Sequence, residues 1–135
     1  MDILLRDGKD VRFTPTGVSM RPFIEGERDT VILRRLPAAQ VGDIVLAQIT
    51  NHKSEITNHK YVLHRIIAIK DGDVTLQGDG NLVGTEHCTP NDIIGTVVQI
   101  ISPNVKTKRL TRGRLWYHLR PLRKILLKIY RHLCV

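Results

Sequence analysis

The chain is 135 residues long, 41% hydrophobic and 4% aromatic, with a formal net charge of +8 at pH 7. This length holds one domain with a modest core, and two cysteines far apart in sequence, Cys88 and Cys134, exclude a disulfide framework. No run of about 20 apolar residues is present, and the opening MDILLRDGKD is neither a spanning helix nor a signal peptide, so a cytoplasmic chain, peripheral at most to a membrane, is expected.

Taken in order, the body reads as β. Asp7-Gly8 and Asp71-Gly72 are dipeptides that favour two-residue hairpin turns, because both central positions need positive φ. The first predicts a hairpin of residues 3–5 with 11–13, and the second a hairpin of 66–69 with 74–76. Further apolar runs at 31–33, 44–49 and 93–101 bring the total to about seven short strands. A small twisted antiparallel barrel is the economical architecture, since closure hides strand edges.

Between the first strands lies TPTGVSMRP at 14–22, a tight segment bounded by Gly17 and Pro22 that presents Ser19. Downstream, YVLHRI at 61–66 carries His64 and LQGDGN at 76–81 carries Asp79. A serine hydroxyl is a poor nucleophile at neutral pH. It needs a base within hydrogen-bond reach, and the base needs a third group to fix its tautomer. Ser19, His64 and Asp79 have the residue types for nucleophile, base and acid. Each also has an ordinary structural reading: a turn serine bonding its own backbone, a strand histidine, and an Asx-turn aspartate between two glycines.

The repeat ITNHK, at 49–53 and again at 56–60, falls in a hairpin loop and reads as a surface insertion. His52 and His59 there, and His87 with Cys88 in TEHCTP, lack the regular four-ligand spacing of a structural zinc site. Neither metal nor cofactor is expected.

These strings together resemble the superfamily of type I signal peptidases and repressor autoproteases, over roughly residues 13–99. The nucleophile box appears as Gly17, Val18, Ser19, Met20, Arg21, Pro22, and a GDIV box as Gly42, Asp43, Ile44, Val45. The base box appears as His64 before Arg65, the GDN-like box as Gly78, Asp79, Gly80, Asn81, and an IIG turn as Ile93, Ile94, Gly95. A histidine at position 64, where many members have lysine, is similar to the Ser-His subtype, in which the aspartate of the GDN box completes the site. The resemblance implies a serine endopeptidase acting through an acyl-enzyme on Ser19, with His64 as general base and Asp79 orienting it. Thr16, Gly17 and Met20 would then frame the oxyanion site. Many members place a serine at the position of Gly17, so the backbone N–H of Ser19, with Thr16, is left for that role. An extended substrate would lie against Thr14 and Pro15 on one side and Tyr61, Val62 and Leu63 on the other. A peptide-binding module that keeps this fold without catalysis is the alternative, and repressor-like self-cleavage has no DNA-reading domain here to release.

The charge is concentrated at the end. Residues 1–105 hold eleven Lys and Arg against thirteen Asp and Glu, whereas ten Lys and Arg and no acid follow from Lys106 on. Within 106–135, Leu115, Leu119, Leu122, Leu126, Ile129 and Leu133 line one helical face, with a break expected at Pro121. This basic amphipathic tail packs on the barrel, or lies in the plane of an anionic membrane, or meets a nucleic acid or acidic protein. Nucleic acid is the least favoured partner. For a surface contact the residues singled out are Trp116, Arg120, Arg123, Lys124, Lys128 and Arg131, and the sequence leaves oligomeric state open.

Overall fold

In a computed structural model, residues 2–17, 19–51, 58–81, 84–103, 105–108 and 123–133 are described. The body is mainly β, a sheet curled into a half-barrel, with a short helix near the carboxy terminus. In chain order the elements are α1 (Asp2–Arg6), β1 (Val11–Phe13), β2 (Thr30–Arg34), β3 (Ile44–Asn51), β4 (Asn58–Lys70), β5 (Asp73–Gln77) and β6 (Glu86–Cys88). A 3₁₀ turn (Pro90–Asp92), β7 (Ile93–Ser102), β8 (Val105–Lys108) and α2 (Arg123–Leu133) complete the chain. The strands are ordered β1-β2-β7-β3-β4-β5-β6, all paired antiparallel, and β8 pairs with the end of β7.

One expected strand is a helix. Residues 3–5 belong to α1, and the Asp7-Gly8 dipeptide ends that helix instead of turning a hairpin. Gly8 has φ 78°, its N–H reaches Leu5 O, and Lys9 N–H reaches Leu4 O. That paired pattern caps a helix with a left-handed glycine. The segment still serves the core, since Leu5 is fully buried and its Cδ1 lies 3.1 Å from where a Cβ on Gly95 would stand. The second dipeptide behaves as expected. Asp71 (φ 51°) and Gly72 (φ 79°) are both left-handed and turn β4 into β5, pairing Lys70 with Asp73.

Two clusters form the core, and β3 divides them. Ile44 and Leu46 join Leu5, Met20, Ile24, Val31, Leu33, Val97 and Ile100 on one side. Val45 and Ala47 join Val62, Ile66, Val74, Leu76 and Cys88 on the other. Successive strand residues leave opposite faces, so a continuous apolar run such as IVLA marks a strand covered on both sides. The duplicated ITNHK, expected as a loop insertion, is in part strand, because β3 and β4 pair Ile49 with Lys60, Thr50 with His59 and Asn51 with Asn58; residues 52–57 between them lie outside the described residues.

The sheet also runs past the expected end of the body at residue 105, because β8 carries it to Lys108. Among the described residues, no helix is long and apolar enough to cross a membrane.

Candidate active site

Ser19 sits in the long excursion between β1 and β2, and that excursion is fixed at several points. Its neighbour Met20 and, further on, Ile24 are buried in the first core cluster. Burying two such side chains contributes about 1.5–3 kcal/mol each, which anchors the segment on both sides of Arg21 and Pro22. Glu27 N–H reaches back to Pro15 O at 2.7 Å. The fully buried Asp29 accepts the Glu25 N–H at 2.8 Å and the Arg28 Nε–H at 3.0 Å. Gly17 is left-handed (φ 87°), and a Cβ on Gly26 would overlap the Gly17 backbone. The strand-to-strand excursion therefore closes on itself and holds Ser19 half-buried at its tip.

The GDGN loop after β5 grips the same segment. Gly80 N–H donates to Ser19 O at 2.7 Å, and Asp79 N–H points to Met20 Sδ at 3.5 Å. A Cβ on Gly78 would run into Ser19 O, so the close approach of the two backbones requires glycine there.

His64 lies in the middle of β4, opposite Val45 of β3, and is 6% exposed. Its Nε2 is 3.2 Å from Ser19 Oγ, and its Nδ1 is 2.9 Å from Glu86 Oε2. An ionised carboxylate only accepts, so the Nδ1–H donates to Glu86 and the Nε2 lone pair is left facing the serine hydroxyl. Hydroxyl, imidazole and carboxylate are thus in hydrogen-bonded sequence, an arrangement competent for acyl transfer by serine.

Glu86 holds the place expected of Asp79. The Asp79 carboxylate is instead committed to the neighbouring Arg65, with Nε at 2.9 Å from Oδ1 and Nη2 at 2.8 Å from Oδ2. The physical reason is strand alternation: side chains at 64 and 65 leave opposite faces of β4, and a buried guanidinium demands a carboxylate on its own face. Arg65 also donates through Nη1 to Gly42 O at 2.8 Å and stacks over Phe23, 5.0 Å from the ring centre. It joins the GDIV box, the GDGN loop and the nucleophile segment in one buried knot.

A groove of about 340 Å³ opens beside Ser19 and His64. Pro15, Thr16, Gly17 and Met20 line one wall, Lys60, Tyr61, Val62 and Leu63 the other, and Asn81 and Glu86 also border it. Every expected framing and substrate-contact residue lies on it except Thr14, whose hydroxyl turns to Thr30 Oγ1 at 3.1 Å, away from the lining. Among the described residues, the ladder of β4 with β5 begins at Arg65. Among the described residues, 60–64 pair with β3 alone, which leaves one strand edge along the groove without a described partner.

Near Glu86, Cys88 is buried in the second core cluster. Burial, with Asp92 and Asp73 adding, pushes its thiol up to about 11, so it packs and does not act as a competing nucleophile.

Two partners escape sequence reasoning. Glu86 lies in a three-residue strand, within the TEHCTP string whose histidine and cysteine draw notice only as metal ligands, and no spacing rule links it to His64. Arg65 carries a usable signal, because a charge in the middle of an apolar strand run requires a buried counter-ion. Of the tail residues, Trp116 and Arg120 lie outside the described residues, whereas Arg123, Lys124, Lys128 and Arg131 fall on α2.

Comparison with protein-family models, with curated proteins and with solved structures finds no match to this chain.

Proposed function

We propose that the chain is a serine endopeptidase of the signal peptidase-like kind, working through Ser19, His64 and Glu86. The observation that carries this reading is the continuous pair of contacts at His64, 3.2 Å to Ser19 Oγ and 2.9 Å to Glu86. Neutral His64 takes the Ser19 proton as Oγ attacks a peptide carbonyl, and Glu86 stabilises the imidazolium that forms. The imidazolium then gives its proton to the leaving amine, the C–N bond breaks, and an ester on Ser19 remains. Water attacks that ester with His64 again as base, releasing the acid and restoring the hydroxyl. Stabilisation of the oxyanion falls to backbone N–H groups at the tip, that of Ser19 foremost, since Gly17 has no side chain to offer.

The free edge at residues 60–64 supports an extended peptide as substrate. Adding a strand to that edge satisfies main-chain groups with little demand on side chains, and brings a carbonyl past Ser19. The reading is tested with a fluorophosphonate probe. Intact protein is expected to gain one adduct, on Ser19, at a rate that falls by at least about 10³-fold in His64→Ala. Equal labelling of intact protein and Ser19→Ala rules the mechanism out.

A further inference from the structure

The helix α2 is fixed to the body on one face and open on the next. Its Tyr130 hydroxyl donates to Glu25 Oε2 at 3.2 Å, and the Arg21 guanidinium lies 5.8 Å from the Tyr130 ring centre. Arg21 and Glu25 are themselves paired, Nη2 to Oε1 at 2.7 Å, in the segment that follows Ser19. Leu126, Leu127 and Tyr130 are partly buried, whereas Ile125 and Ile129, one turn apart, are 58% and 50% exposed. Lys124 and Lys128, each one position earlier, are exposed as well and form a cationic row beside that apolar one.

We infer that this row of Ile125 and Ile129 with Lys124 and Lys128 is a seat for an anionic lipid surface, placed by Tyr130 beside the segment that carries Ser19. An apolar stripe next to a basic one is what an in-plane helix presents to a bilayer: the isoleucines enter the acyl boundary and the ammonium groups meet lipid phosphates. The charge of the chain argues for lipid over an apolar protein groove, since every residue of charge from Lys106 onward is basic. The docked face explains why the stripe is only partly used within the fold. Residues expected in the apolar face, Leu126 and Ile129, divide between the docked and open sides, and Ile125 joins the open one. Through Tyr130 and Glu25 the seat is tied to the excursion that carries Ser19.

Flotation of the full chain with phosphatidylcholine vesicles, with and without phosphatidylglycerol, tests the seat. It reads binding alone, so its failure leaves cleavage by Ser19 standing. Capture is expected on the anionic vesicles, at least about tenfold weaker on phosphatidylcholine alone, and about thirtyfold weaker for Lys124→Gln/Lys128→Gln. Ile125→Ser/Ile129→Ser, at exposed positions that leave the fold intact, is expected to lose about tenfold or more. Equal capture on both vesicles overturns the inference. So does unchanged capture of the isoleucine variant, and so does retention on an RNA duplex that depends on the lysines while vesicle capture does not.

Discussion

At the residue scale, the structure puts Glu86 in the place that the sequence reading assigns to Asp79. Glu86 touches the imidazole, whereas Asp79 is locked to Arg65. Their substitutions should therefore fail differently. Glu86→Gln is expected to keep the fold and lower kcat by about 10²–10⁴, because the amide no longer holds the productive tautomer or stabilises the imidazolium; unchanged turnover would remove Glu86 from the mechanism. Asp79→Asn leaves a guanidinium buried without its charge partner, at a cost of about 3–5 kcal/mol. Thermal unfolding checks this: a large drop in Tm is expected, and an unaltered Tm with lost turnover would return Asp79 to the catalytic role. The strings that carry Ser19 and His64 stand out in the sequence, and the fold brings the two side chains together. Glu86 does not stand out, since its contact with His64 comes from the β5–β6 pairing and a three-residue strand leaves almost no periodic trace.

At the element scale, local chemistry and tertiary packing divide the outcomes. The Asp71-Gly72 turn is decided by backbone geometry alone and is readable. The Asp7-Gly8 dipeptide has the same local signal, yet Leu5 is needed over Gly95 and the segment winds into α1 so that the glycine becomes its cap. The attachment of α2 is equally non-local. The hydrogen bond from Arg21 holds Glu25 below the usual carboxylate range against the opposing effect of burial, and the Tyr130 phenol lowers it further. A carboxyl depressed in the folded state contributes stability that is complete above its ordinary value of 4.5 and is lost as pH falls through the lower folded value. Acid should thus loosen α2 from the body. Hydrogen exchange checks it: protection of α2 amides is expected to drop below pH 4.5, and Tyr130→Phe to reduce protection about fivefold at neutral pH, the usual worth of one such bond. Protection in α2 that is indifferent to both would detach the helix from Glu25.

At the scale of the whole molecule, the half-barrel follows from apolar runs that alternate across β3 and fill two cores, and this much is visible in the pattern of short strands. The knot around Arg65 is not, because three distant boxes converge on one buried cation that no periodicity reports. That knot holds the Ser19 segment against β4, where His64 lies at the end of a stretch that, among the described residues, pairs on one side only. The most direct measurement is therefore incubation of the purified protein with a diverse peptide library, read by mass spectrometry beside Ser19→Ala. Intact protein is expected to cut a subset of peptides, with cleavage at least about 10³-fold slower in the variant. Cleavage at the same sites and rates by Ser19→Ala, or none by the intact protein, would contradict a serine peptidase built on Ser19, His64 and Glu86.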